Sequence, residues 1–175
     1  MAPRLKPGFF KRDVLEVAPE LLGKTLVRRF SDGRIERFTI TETEAYRGTE
    51  DMACHASKGR TPRTEVMFRE GGLIYVYLIY GMYWMLNIVT GFEYHPSAVL
   101  IRGIGNITGP GKVGRTLELD KSFYGEELYT SERLWVEDES NGNVMHTTHP
   151  RVGIEYAGDP WINKPWRFKI INPGL

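Results

Sequence analysis

The sequence predicts an α+β fold: one compact domain over residues 1–175, with a curved, mostly antiparallel β-sheet and short flanking helices. Three observations lead there. Runs of β-prone residues joined by turn signals outnumber stretches of helical periodicity, so hairpins prevail over crossover helices. No repeat, low-complexity tract or linker divides the 175 residues, a length that suits one domain. A hydrophobic fraction of 41% is enough to fill a single core.

The elements follow in order. Phe9 to Leu22 carries apolar residues at helical spacing, with Asp13 near its start and Gly23 after its end; Pro19 predicts a division into two short pieces. Thr25 to Phe30 reads as a strand, Ser31-Asp32-Gly33 as a hairpin turn, and Arg34 to Tyr46 as a long returning strand. Arg47 to Pro62 is a polar loop. Leu73 to Val89 is strongly β-prone and breaks at Tyr80-Gly81, which makes it a hairpin. Ala98 to Ile104 is a further strand. Pro110 to Leu119 forms a short helix after a Gly-rich entry, and Leu134 to Glu137 and Trp166 to Ile171 are late strands.

Composition excludes several classes. A single cysteine, Cys54, rules out an internal disulfide and suits a reducing cytoplasm. Cys and His are too sparse for a structural zinc site. The longest apolar run, Leu73 to Val89, is interrupted by Gly81 and Asn87 and is too short and polar to span a membrane. The chain reads as soluble and intracellular. Its net charge of +1 is a weak signal for nucleic acid, but charge is unevenly spread. His55 to Arg69 holds Lys58, Arg60, Arg63 and Arg69 against Glu65 alone, whereas Glu126 to Glu139 holds six acids against Arg133. A near-neutral total therefore leaves room for one basic face.

Several residues suit chemistry. Strand alternation places Phe38, Ile40, Glu42, Glu44 and Tyr46 on one face, so two carboxylates extend an apolar stripe into a loop. Partial desolvation there raises a carboxyl toward the range useful for proton transfer; an ion pair at the end of the sheet fits the same spacing. Tyr75 and Tyr77 share a face, as core residues or as a stacking surface, while Tyr80 beside Gly81 projects from a hairpin tip as a wedge. Arg102 ends the apolar run Ala98-Val-Leu-Ile101 and needs a carboxylate or phosphate partner. Gly109-Pro-Gly-Lys112 is either a phosphate grip or an ordinary loop. His55 is structural or catalytic; Asn87, an amide in an apolar strand, ties down a loop or lines a pocket.

Together these residues resemble the alkyladenine (3-methylpurine) DNA glycosylase family. The resemblance runs through Leu21–Arg29, Thr43–Asp51 with Ala53-Cys-His55, Thr61-Pro-Arg63, Tyr75–Tyr83 with Leu86-Asn87, Leu100-Ile-Arg102, Gly109–Lys112, Arg151-Val-Gly153 and Lys164–Phe168. These segments cover nearly the whole chain in one order. The resemblance implies a monofunctional enzyme of base-excision repair that flips an alkylated or deaminated purine out of duplex DNA and hydrolyses its N-glycosidic bond. Candidate bases are 3-methyladenine, 7-methylguanine, hypoxanthine and ethenoadenine. Glu44 would be the general base, and Arg102 and the carbonyl of Val152 would help hold the water. Tyr46, His55 and Tyr77 would sandwich and contact the base, Asn87 would discriminate at the pocket floor against guanine's exocyclic amine, and Tyr80 would fill the gap in the duplex. The resemblance implies no role for Glu42; from the local charge pattern and the Gly-Pro-Gly-Lys segment, Arg60, Arg63 and Lys112 are expected to meet the DNA backbone. The family requires neither metal nor cofactor. No lysine is placed for a Schiff base beside Glu44. The expected partner is damaged double-stranded DNA, bound by a monomer in the cytoplasm, at the nucleoid or in a nucleus.

Two rival readings of the same residues are a non-catalytic nucleic-acid module built on the tyrosines, and a sugar glycosidase built on Glu42 and Glu44. The glycosidase needs carboxyls about 5–9.5 Å apart, and residues two apart on a strand lie about 6.6 Å apart. The basic loop and the tip tyrosine argue against it.

Overall fold

Among the residues described by the computed structural model (1–139, 142 and 144–171), nine strands join in one sheet. They are β1 (Thr25–Arg29), β2 (Ile35–Arg47), β3 (Ile74–Ile79), β4 (Tyr83–Thr90), β5 (Ser97–Ile104), β6 (Ile107–Thr108), β7 (Leu134–Glu137), β8 (His146–His149) and β9 (Arg167–Ile170). The main path runs β3-β4-β5-β2-β1-β7; β6 extends β5, and β9 pairs with both β2 and β8. Every pairing is antiparallel, and the helices are short: α1 (Pro7–Phe10), α2 (Val14–Glu20) and α3 (Pro110–Thr116). The α+β expectation holds.

The helical segment divides at Lys11–Asp13 rather than at Pro19. Asp13 caps α2 by accepting the Leu15 N–H at 2.9 Å, and Pro19 stands one residue before the end of α2, which continues past it without the bond an N–H there would donate to the Leu15 carbonyl. The loop after β2 is less polar in place than in sequence. Asp51, Ala53, Cys54 and Ala56 are buried, and His55–Lys58 forms a turn of 3-10 helix.

The sheet separates two apolar clusters. Ile74 and Val76 of β3, Leu86 and Ile88 of β4, and Val99 and Ile101 of β5 face the main core with Val17, Ala18, Leu21 and Val113. Their neighbours Tyr75, Val89 and Ala98 pack against Cys54, Ala56, Val66 and Met67 on the other side. α3 lies close over β4, at Gly114, where a Cβ would collide with the carbonyl oxygen of Trp84.

Alternation along β2 and β5 is not continuous. Ile40 pairs with Ile104, Glu42 with Gly103 and Thr43 with Ile101, so Thr41 and Arg102 are each passed over. These compensating irregularities keep the register but reverse the faces on both strands. Ile40 and Ala45 of β2 both belong to the main core, as do Ile104 and Ile101 of β5, although each pair joins opposite parities. Glu42 and Glu44 therefore do not continue the stripe of Phe38 and Ile40. They lie on the other face, while the Thr43 hydroxyl donates to Ala18 O of α2 at 2.9 Å.

Candidate active site

The face opposite the main core carries an open cleft of about 830 Å3. Its lining brings together Tyr46, His55, Tyr77, Asn87, Arg102 and Val152, drawn from β2, the loop after it, β3, β4, β5 and the segment before residue 155. The strand-borne members follow from the alternation just described, since each is preceded in sequence by a residue of the main core, Ala45, Val76, Leu86 or Ile101.

Glu44 lies immediately behind this lining, wholly buried. The Tyr46 hydroxyl donates to Oε2 at 2.7 Å, the Val152 N–H donates to Oε1 at 2.8 Å, and Arg102 Nη1 lies 3.6 Å from Oε1. Burial raises the Glu44 carboxyl above its ordinary value; Arg102, the Tyr46 hydroxyl, the Val152 amide and Arg151 pull it part of the way back. A carboxylate has about four acceptor positions, so these donors leave room for a further one. The contact from Val152 is made by its amide, because a buried carboxylate needs donors, not another carbonyl. Burial, and then the charge of Glu44, raise the Tyr46 phenol well above its ordinary range, which keeps it a proton donor.

Glu42 is also buried, but its Oε1 is engaged by Arg102 Nε at 3.4 Å and by Arg167 Nη1 at 3.0 Å. Like Glu44 it is not among the residues lining the cleft, but unlike Glu44 it is held by two arginines. That arrangement disfavours a sugar glycosidase, which needs both carboxyls at the scissile bond.

The aromatic wall is a connected unit. His55 Nδ1 is 2.9 Å from the Tyr75 hydroxyl, and its ring meets Tyr77 edge to face at 4.5 Å. Burial, followed by the charges of Arg63 and Lys58, lowers His55 to about 4, so its ring is neutral near pH 7. Burial pushes Tyr75 up to about 12 and raises Tyr77 as well. The Arg63 guanidinium lies 5.0 Å over the Tyr77 ring at the rim of the cleft. Asn87 Nδ2 donates to Tyr75 O at 3.2 Å, so this amide both ties two strands and lines the pocket. Burial pushes the Cys54 thiol up to about 12, which leaves it inert.

Tyr80 stands at the tip of the β3–β4 hairpin with 84% of its surface exposed. Its φ of 53° and the 65° of Gly81 form the turn, and Met82 beside it is exposed as well. Arg60 does not line the cleft: it pairs with Glu65 at 3.3 Å and lies over the rings of Phe68 and Tyr94. Lys112 is exposed on α3, two residues after Pro110 at the cleft's edge.

Sequence reasoning assigned no role to Arg151 or Asp51. Their side chains are fully buried and joined at 2.6 and 2.9 Å. Arg151 also donates to Ala45 O at 3.0 Å and lies between the rings of Tyr46 and Trp166, at 4.8 and 4.9 Å. Asp51 accepts the backbone N–H groups of Arg47 and Ala53, each at 3.0 Å. The pair thus ties the loop carrying His55 to the segment carrying Val152. Partners a hundred residues apart leave no local signal.

The family model described as Methylpurine-DNA glycosylase (MPG) matches residues 8–108 and 105–173. The chain belongs to this family. Relatives agree along its length. A protein of Psychrobacter cryohalolentis, named as a 3-methyladenine DNA glycosylase, is 39% identical over 95% of this chain and 91% of its own. Proteins of the same name from Methanocella arvoryzae and Desulfitobacterium hafniense are each 42% identical over 95% of this chain, and over 92% and 95% of their own. As a methylpurine-DNA glycosylase, the chain is a monofunctional DNA-repair hydrolase of N-glycosyl bonds acting in base excision. Among the described residues, no helix is long and apolar enough to cross a membrane.

Proposed function

We propose that this glycosylase flips a damaged purine out of duplex DNA into the cleft and hydrolyses its glycosidic bond with a water activated by Glu44. One observation carries the reading: a buried carboxylate, raised above its ordinary range yet held by three donors, lies directly behind an aromatic-walled cleft.

A base within a duplex cannot present its glycosidic bond to a carboxylate and water, so it is extruded at a cost of a few kcal/mol, least where damage weakens pairing. Tyr80 fills the space it leaves. Stacking on Tyr46 and Tyr77, with His55 against the edge, returns about 1–3 kcal/mol per base. Asn87 retains an amide hydrogen and its oxygen, and it discriminates at the floor against guanine's exocyclic amine. Lys58, Arg63 and Lys112 meet phosphates; Arg60 joins them by exchanging Glu65 for a phosphate.

Water then attacks the anomeric carbon. Its proton passes to Glu44, and the electrons of the breaking bond leave with the purine. Arg102 and Val152 hold the carboxylate and the water. A cationic 3-methylpurine departs as a neutral base without a general acid, which fits 3-methyladenine, the base in the relatives' names. Such a cation is also favoured by electron-rich rings. Hypoxanthine and ethenoadenine are further candidates of the same shape.

The test is Glu44→Gln, with duplexes carrying each of these bases. Binding is retained, and excision falls by at least about a hundredfold, the scale of general-base loss. Excision near the parent rate removes Glu44 from the mechanism.

A further inference from the structure

We infer that Glu42 is a positioning residue: it holds Arg102 between two carboxylates and keeps the guanidinium from closing on Glu44. The inference rests on Glu44 as the general base.

Three features of the geometry carry it. Arg102 spans the two acids through different nitrogens, Nε to Glu42 at 3.4 Å and Nη1 to Glu44 at 3.6 Å. Neither contact is the close, forked docking that Arg151 makes on Asp51 at 2.6 and 2.9 Å. Arg102 is shared. Secondly, the oxygen of Glu42 that faces Arg102 also takes Arg167 Nη1, and Arg167 Nε donates to Pro150 O at 2.8 Å. Pro150 lies two residues before the Val152 amide that donates to Glu44, so Glu42 anchors both of these supports of the base. Thirdly, the paired irregularity of β2 and β5 is what brings Glu42 to this face. It depends on Gly103, where a Cβ would stand 2.7 Å from Thr41 Oγ1 and 3.1 Å from Glu42 Cβ.

Charge balance gives the arrangement its chemical meaning. Around Glu44 stand Arg102 from β5, Arg167 from β9, Arg151 from the segment after β8, and the neutral phenols of Tyr46, Tyr77 and Tyr156. Three cations face three anions, Glu42, Glu44 and Asp51. Without Glu42 the cations are in excess, Arg102 docks on Glu44, and the carboxylate becomes a weaker base.

The experiment compares Glu42→Gln and Arg167→Gln with the parent. Single-turnover excision is measured across pH, alongside 13C NMR titration of the Glu44 carboxyl, assigned by its loss in Glu44→Gln. In Glu42→Gln the acid limb and the Glu44 titration both move down by about one pH unit, and the plateau rate falls. In Arg167→Gln, Glu42 engages Arg102 more fully and both move up. These opposite signs separate positioning from a merely structural role, and Arg167→Gln reads the same device if Glu42→Gln does not fold. Shifts of one sign in both variants, or none in either, overturn the inference. A Glu44→Gln variant at the parent rate instead overturns Glu44 as base, whatever Glu42 does.

Discussion

Replacing Asp51 by Asn tests the strut that joins the two loop-borne parts of the site. The substitution keeps size and shape but removes the charge facing Arg151, and it puts an amide donor where an oxygen accepted. Asp51 has no spare capacity for that change: its two oxygens take both Arg151 nitrogens and the N–H groups of Arg47 and Ala53. Nor can Arg151 relax into water, since its side chain is fully buried and its Nε has no hydrogen-bond partner among the described residues. Leaving a buried charge uncompensated costs about 3–5 kcal/mol, a large part of the roughly 5–15 kcal/mol that hold a domain together. At roughly 2–4 °C per kcal/mol for this size, the melting temperature falls by about 6–20 °C. Thermal unfolding followed by circular dichroism measures it. A companion variant, Asp51→Asn with Arg151→Met, recovers most of the loss, because removing both charges leaves neither stranded. A fall of less than about 3 °C in the single variant, or a double variant no better than the single, refutes the argument.

Four other outcomes follow from the same geometry. Tyr80→Ala destabilises the flipped state, read by a fluorescent base whose emission rises on unstacking, while the ratio of excision rates on two damaged bases stays near that of the parent. Tyr46→Ala changes that ratio, since it removes a stacking surface. His55 titrates at about 4 when folded against an ordinary 6.5, so the unfolded chain binds the extra proton between those values. Its contribution is complete above about pH 6.5 and is lost as pH falls toward 4, by up to about 3 kcal/mol; His55→Gln flattens chemical-denaturation stability across that window, and an unchanged slope contradicts the depressed histidine. DNA binding weakens steeply with salt despite the net charge of +1, because Lys58, Arg63 and Lys112 act locally; equal affinity at low and moderate salt removes the phosphate-gripping face.

What the sequence disclosed follows from period and turn chemistry. Strand alternation put Tyr75 and Tyr77 together, and Tyr80-Gly81 marked the hairpin tip that the exposed Tyr80 now occupies. The face shared by Glu42, Glu44 and Tyr46 was legible, but its relation to Phe38 and Ile40 was not. A passed-over residue reverses every side chain beyond it, and Thr41 carries no mark of being one. Gly103 is that mark in hindsight, since it alone leaves room beside Thr41. β8 escaped notice because His146–His149 is short, polar and half-exposed, without an apolar period. The Asp51–Arg151 pair escaped because long-range ion pairing has no local pattern.

These differences explain where the site needs explicit support. Glu44, Tyr46, Tyr77, Asn87 and Arg102 stand on strands whose neighbouring residues, Ala45, Val76, Leu86, Ile88 and Ile101, are locked in the main core. A one-residue slip in any of these strands would turn the polar set into the main core and the core residues toward the cleft, so core packing itself fixes those side chains. His55 and Val152 have no such assurance. Both lie in segments without regular pairing, where placement by backbone ladders is absent. There the chain uses a buried ion pair, a device that contributes little net stability but is costly to break. The division is consistent with the chemistry proposed for each half. The strands carry the base and the stacking surface, which must not move, and the strut fixes the loops that close around them.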